Sequence, residues 1–159
     1  MTGAERLQAL LRLRELRERK ARMAAARQAR SRDELEQRIE TLTQAHCLHS
    51  EALARRDARN GAALLGEVVD HWQVQRYQQQ ASERVHLDRQ FAQQLQALSE
   101  QRTQAHAHLE TLRQQRQQHQ RQCEAMAQLL AQEVRQVRLR AQGHAEAEAE
   151  DRPGRVPHG

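Results

Sequence analysis

Few residues in this chain have types and spacings that could do chemistry. His46, Cys47 and His49 crowd one stretch, and His119 precedes Cys123 by four residues, which puts both side chains on one face of a helix. Imidazole nitrogen and thiolate sulfur are zinc ligands, so each group reads first as part of a tetrahedral metal site. A closed site needs four ligands, and neither group supplies four by itself. The fold would have to bring the two together. The same holds for a Cys47–Cys123 disulfide, which needs Cα atoms within about 7 Å. Elsewhere there is no Gly-rich phosphate loop, no nucleophile with its base and no carboxylate pair placed for acid–base work.

The elements that position these residues are read from the apolar period. From Val74 to Val137 the steps alternate between three and four: Tyr77, Ala81, Arg84, Asp88, Phe91, Leu95, Leu98, Arg102, Ala105, Leu109, Leu112, Arg116, His119, Cys123, Met126, Leu130, Glu133. The register holds for roughly nine heptads, where three or four already argue for a coiled coil. A strict 3.5-residue period predicts a left-handed seam, so this helix needs a partner helix.

Composition agrees. The chain has 159 residues, an aromatic content of 2% and a net charge of +5, with Lys20 its one lysine. Mean hydropathy is -1.00. Ala, Glu, Leu, Arg and Gln dominate, which is a long-helix composition with too little apolar surface for a round core. No stretch approaches the roughly 18 apolar residues of a membrane span, so no membrane insertion is expected. The start reads as an amphipathic helix rather than a signal peptide, and a cytoplasmic chain with two free thiols is expected.

Thr2 and Glu5 form a capping box, and helix 1 is predicted over about residues 3–59. Leu35, Ile39, Leu42, His46, His49 and Leu53 continue a seam. They do not join the N-terminal leucines in one simple phase, so a stutter is expected near residues 18–32. The small side chains from Ala21 to Ala29 would admit a close helix neighbour. Asn60-Gly61 is the clearest turn signal and Gly66 a second break, placing the turn over about 60–66. Helix 2 follows over about 67–142, with Gly143 as its stop. The acidic, Pro-containing tail 144–159 is expected to be disordered.

The fold class predicted is therefore all-α: a long two-helix antiparallel coiled-coil hairpin over residues 1–143. With the turn centred near residues 62 and 63, position n faces roughly position 125 minus n, and Leu42 meets Glu83. Helix 2 would be on the order of 110 Å long against about 85 Å for helix 1. Residues from about His119 onward would then overhang, leaving Met126, Leu129, Leu130, Val134, Val137 and Leu139 uncovered. This geometry holds the two His/Cys groups several turns apart, so His46, His49, His119 and Cys123 read as seam residues; no metal, cofactor or catalytic residue is assigned. Arg84 and Asp88, four residues apart, are expected to pair within their own helix. The arginines from Arg12 to Arg32 look like a basic region, but leucines and acids interrupt them and no zipper follows directly, so nucleic acid is not the expected partner.

Leu7 to Ala29, above all Leu10-Leu11-Arg12-Leu13-Arg14-Glu15-Leu16-Arg17 followed by the Ala-rich run, resembles the start of the FliJ/YscO family. These are small Arg- and Gln-rich stalk proteins of flagellar and virulence type III secretion systems. Length and two-helix layout extend the likeness over almost the whole chain. The resemblance implies a non-enzymatic, cytoplasmic bacterial protein peripheral to the secretion apparatus. It would insert into a hexameric export ATPase and contact the export gate or secretion chaperones, with no small-molecule substrate. Leu7, Leu10, Leu11 and Leu13, together with the overhang residues, would then enter the ATPase ring. A generic scaffolding coil and a nucleic-acid-associated coil are the alternative readings.

Overall fold

A computed structural model describes residues 2–66 and 68–151. It contains two helices, α1 (Gly3–Leu64) and α2 (His71–Glu150), and among the described residues no strand. The fold is all-α, two long helices packed on each other. Contacts group the chain into two units, Met1–Ala25 with Thr111–Gly159, and Ala26–Glu110. In each, a stretch of α1 packs antiparallel on a stretch of α2. In the first unit Gly3 lies against the Glu133 carboxylate, Arg14 Nη1 donates to Gln122 Oε1 at 2.6 Å, and Arg116 pairs with Glu18 at 3.6 Å. In the second, Gln28 Nε2 donates to the Ala105 carbonyl at 3.3 Å and Arg84 Nη1 to Asp57 Oδ2 at 2.9 Å.

The start of α1 is built as its residues dictate. Glu5 Oε2 accepts from the Thr2 N–H at 2.7 Å and Thr2 Oγ1 from the Glu5 N–H at 3.2 Å, a reciprocal box that satisfies two orphan donors. The turn lies later than expected. α1 runs through Asn60-Gly61 to Leu64, and among the described residues Gly66 alone takes a positive φ, +97°. Gly inside a helix costs only about 1 kcal/mol relative to Ala. Continuing the helix keeps Asn60 and Leu64 half-buried along the seam, which outweighs that cost. One half of a capping box then starts α2: Asp70 N donates to Gln73 Oε1 at 3.0 Å, while the Asp70 backbone carbonyl accepts from the Gln73 and Val74 N–H groups. The two glycines therefore have opposite roles. Gly61 is helical with open space around a Cβ, so Gly61→Ala is expected to stabilise the chain by about 0.5–1 kcal/mol. Gly66→Ala should destabilise it by about 1 kcal/mol or more, because a Cβ is strained at that φ. Urea melts of the two variants, moving in opposite directions, check this.

Moving the turn centre moves every pairing by twice as much. Instead of Leu42 facing Glu83, His46 meets Asp88, a displacement of roughly ten residues along α2. α1's first turns thus cover α2 as far as Glu133, and the expected overhang from His119 begins only after about Val134. Helix 2 also does not stop at Gly143. It continues through the helix-favouring Ala145–Glu150 run, so the tail expected to be disordered from residue 144 is helical to Glu150. The part of that expectation falling on residues 152–159 lies outside the described residues.

Most of the expected α2 heptad positions are shielded, while Val74, Ala81, Asp88, Arg102, Arg116 and Val137 are exposed. Tyr77, Arg84, Phe91, Leu95, Leu98, Leu112, His119, Cys123, Met126, Leu130 and Glu133 are half-buried, and Ala105 and Leu109 are buried. α1 differs from expectation. Its shielded positions run Ala4, Leu7, Leu11, Arg14, Glu18, Ala21, Ala25, Gln28, Arg32, Leu35, Ile39, Leu42, His46, His49, Leu53 without a stutter. The phase passes through four long polar residues. Their stems cover the seam while their heads find partners: Arg14 on Gln122, Glu18 on Arg116, Gln28 on the Ala105 carbonyl, Arg32 on Asp33. An apolar-only count skips them. Among the described residues only Ala25, Ala105 and Leu109 are buried, so the core is thin.

Candidate partner-binding surface

Of the residues whose types could do chemistry, His46, His49, His119 and Cys123 are half-buried in the seam, as the sequence reading places them, and Cys47 is exposed. In the second unit His46 and His49 turn into the seam while Cys47, between them, points out, its sulfur 3.8 Å from Glu51 Oε1. The His46 ring lies on Phe91, centroids 4.7 Å apart, with Nε2 3.2 Å from Asp88 Oδ1; His49 flanks the same Phe91 at 6.4 Å. Asp88 and Arg84 thus each pair across to α1, on His46 and Asp57, rather than with one another as expected. In the observed register α1 brings His46 to Asp88 and Asp57 to Arg84, which the register expected from the sequence did not. Among the described residues no three His, Cys, Asp or Glu side chains come together as metal ligands.

Both cysteines are free. Cys123, in the first unit, is half-buried, and desolvation, reinforced by Glu15 and Glu18, pushes its thiol above the ordinary range. Iodoacetamide should accordingly modify exposed Cys47 before Cys123 at pH 8, with the Cys123 rate still rising at higher pH. Peptide mapping against time measures the order. His49 has a different peculiarity. Its Nε2 is enclosed with no hydrogen-bond partner. An unsatisfied enclosed nitrogen is costly, so His49→Leu is expected to raise stability by about 1 kcal/mol in thermal or urea melts.

An open groove of about 780 Å³ in the second unit is lined by Leu42, Ala45, Ala97 and Leu98, with Glu34 and Arg38 at its margin. The Thr41 hydroxyl in that lining donates to the Gln37 carbonyl of its own helix at 2.8 Å, so it is committed to the backbone.

The residues expected to bind a partner all lie in the first unit, and they fall into two groups. Leu7, Leu11, Met126, Leu130 and Val134 are half-buried seam residues, so α1's first turns cover side chains that the sequence reading left bare. Leu10, Leu13, Leu129, Val137 and Leu139 remain exposed. Leu10 and Leu129 each precede a seam leucine, and in an antiparallel pair such flanking positions share one edge. Val137 sits at a seam position past the start of α1, and Leu139 is 66% exposed on the free end of α2. Arg135, Arg138 and Arg140 are exposed among them. Scattered apolar residues are ordinary on a surface; several on different sides of one uncovered helix end, interspersed with arginines, suit a partner that surrounds that end.

Sequence reasoning missed a second apolar cluster, at the connection between the helices. Leu65, Val68, Val69 and Trp72 are all exposed there. The signal was present: four large apolar side chains crowd a segment read as a turn, where polar residues are usual. No helix is long and apolar enough to cross a membrane among the described residues. Compared with known proteins, the chain matches no family model, no curated protein and no solved structure, so its own surface chemistry carries the functional reading.

Proposed function

We propose that this chain is a non-enzymatic helical subunit that works by binding, as the central stalk or regulatory subunit of a type III secretion export ATPase. In this reading the end built from α1's first turns and the free end of α2 enters the hexamer, and the chain couples it to the export gate or to secretion chaperones on the cytoplasmic side. The observation that carries the reading is the set of exposed apolar side chains Leu10, Leu129, Val137 and Leu139 at this end, with the exposed Arg135, Arg138 and Arg140 among them. A solvated helix end gains nothing from such exposure on several sides, whereas a ring with an apolar bore and acidic margins would cover it. The likeness of Leu7 to Ala29 to the FliJ/YscO start supplies the class of partner.

Adding the chain to a purified type III export ATPase tests the reading. Co-elution with the hexamer and several-fold faster ATP hydrolysis are expected. Failure both to co-elute and to stimulate, at concentrations well above that of the ATPase, would remove the stalk reading.

A further inference from the structure

The connection between the helices carries the densest apolar exposure in the second unit. Val68 is 99% exposed, Leu65 85% and Trp72 74%, with the Trp72 ring set edge-on to His71 at 6.4 Å. The charges around this tip are arranged in order. The exposed Asp70 begins α2, and Arg76 follows six residues on, about 9 Å along the helix axis. Arg59 stands a comparable distance back on α1. None of the three has an ion pair among the described residues, whereas Asp57 nearby is taken by Arg84.

We propose that this tip is a self-complementary surface through which two copies of the chain associate. A two-fold interface requires one patch to hold both halves of every contact. Here the apolar side chains and the acid are at the end, and the bases are set back behind them. Two tips overlapping side by side, running in opposite directions, bring Asp70 of each copy opposite Arg76 of the other, while Trp72 and Val68 pack across the axis. An anionic bilayer fits less well, because Asp70 stands among the apolar side chains that would have to approach the headgroups. The apolar area is on the order of a few hundred Å², below the roughly 800 Å² per partner of a standard interface, so the dimer is a weak, exchanging one. This surface is separate from the residues of the stalk reading and does not depend on it.

Trp72 is the single tryptophan, so its emission reports on the tip directly. Sedimentation equilibrium from micromolar to millimolar chain, with Trp72 emission read on the same samples, tests the proposal. The mass should rise toward that of two chains as the emission shifts blue. Val68→Glu and Arg76→Glu should each raise the dissociation constant by roughly tenfold or more, about 1.4 kcal/mol. Both positions are exposed, and unchanged circular dichroism checks that the helices persist. A chain that stays monomeric throughout, association that survives either substitution, or a blue shift that requires added phosphatidylglycerol vesicles would each overturn it.

Discussion

Replacing Leu109 by Ala is expected to cost about 3 kcal/mol, the largest loss from any single truncation in this chain. Leu109 is 1% exposed, the one large side chain fully buried among the described residues. The other large apolar side chains of the α2 seam are half-buried or exposed, so truncating Leu98 or Leu112 removes contacts that water partly replaces. Those changes should cost about 1–2 kcal/mol each. Two helices cannot close over a cavity as a globular core can, and the missing methyls would be replaced by solvent or by a local slip of the pair. Leu109→Asp should be harsher still, because a carboxylate would be enclosed without a partner. Urea denaturation followed by circular dichroism measures the order Leu109→Asp, Leu109→Ala, Leu112→Ala. An equal cost for the two alanine variants would mean that the core is not concentrated at Leu109.

On the proposed stalk reading, the triple variant Leu129→Glu, Val137→Glu, Leu139→Glu is expected to abolish stimulation of the export ATPase while leaving the melt within about 0.5 kcal/mol of wild type. All three side chains are exposed, so the fold makes little use of them. Truncation is a poorer test of the same surface. Deleting residues 126–142 would also remove the cover from Leu7 and Leu11, since Gly3 packs by Glu133 and Arg14 by Gln122, and would fray the start of α1. Substitution separates binding from folding where deletion mixes them. A seam change such as Leu11→Asp should do the reverse, lowering stability by about 2 kcal/mol or more. Full stimulation by the triple variant would place the ATPase contact elsewhere. Loss of helix in that variant would mean that these side chains serve the fold.

The sequence by itself determined the class of this protein and most of its seams. The 3.5-residue period from Val74 to Val137 required a helix packed on another helix, and α2 shields most of that row. The Thr2–Glu5 box is legible because its two hydrogen bonds join residues three apart and depend on nothing distant. Tertiary structure decided the turn. Asn60-Gly61 carries the stronger local signal for a break, but its cost is small beside the burial gained by carrying α1 on to Leu64, and Gly66, with the Gln73 side chain accepting from Asp70 N, closes the turn instead. A shift of a few residues there slid the whole pairing, which is why Met126, Leu130 and Val134 are covered and only the end of α2 is free. The unbroken phase of α1 was hidden for a related reason. Arg14, Glu18, Gln28 and Arg32 count as polar in a pattern, yet each lays an apolar stem along the seam once a second helix supplies or permits a partner for its head. Periodicity belongs to one helix and can be read from it alone. Register belongs to two, and the free energy that sets it exists only when both are present.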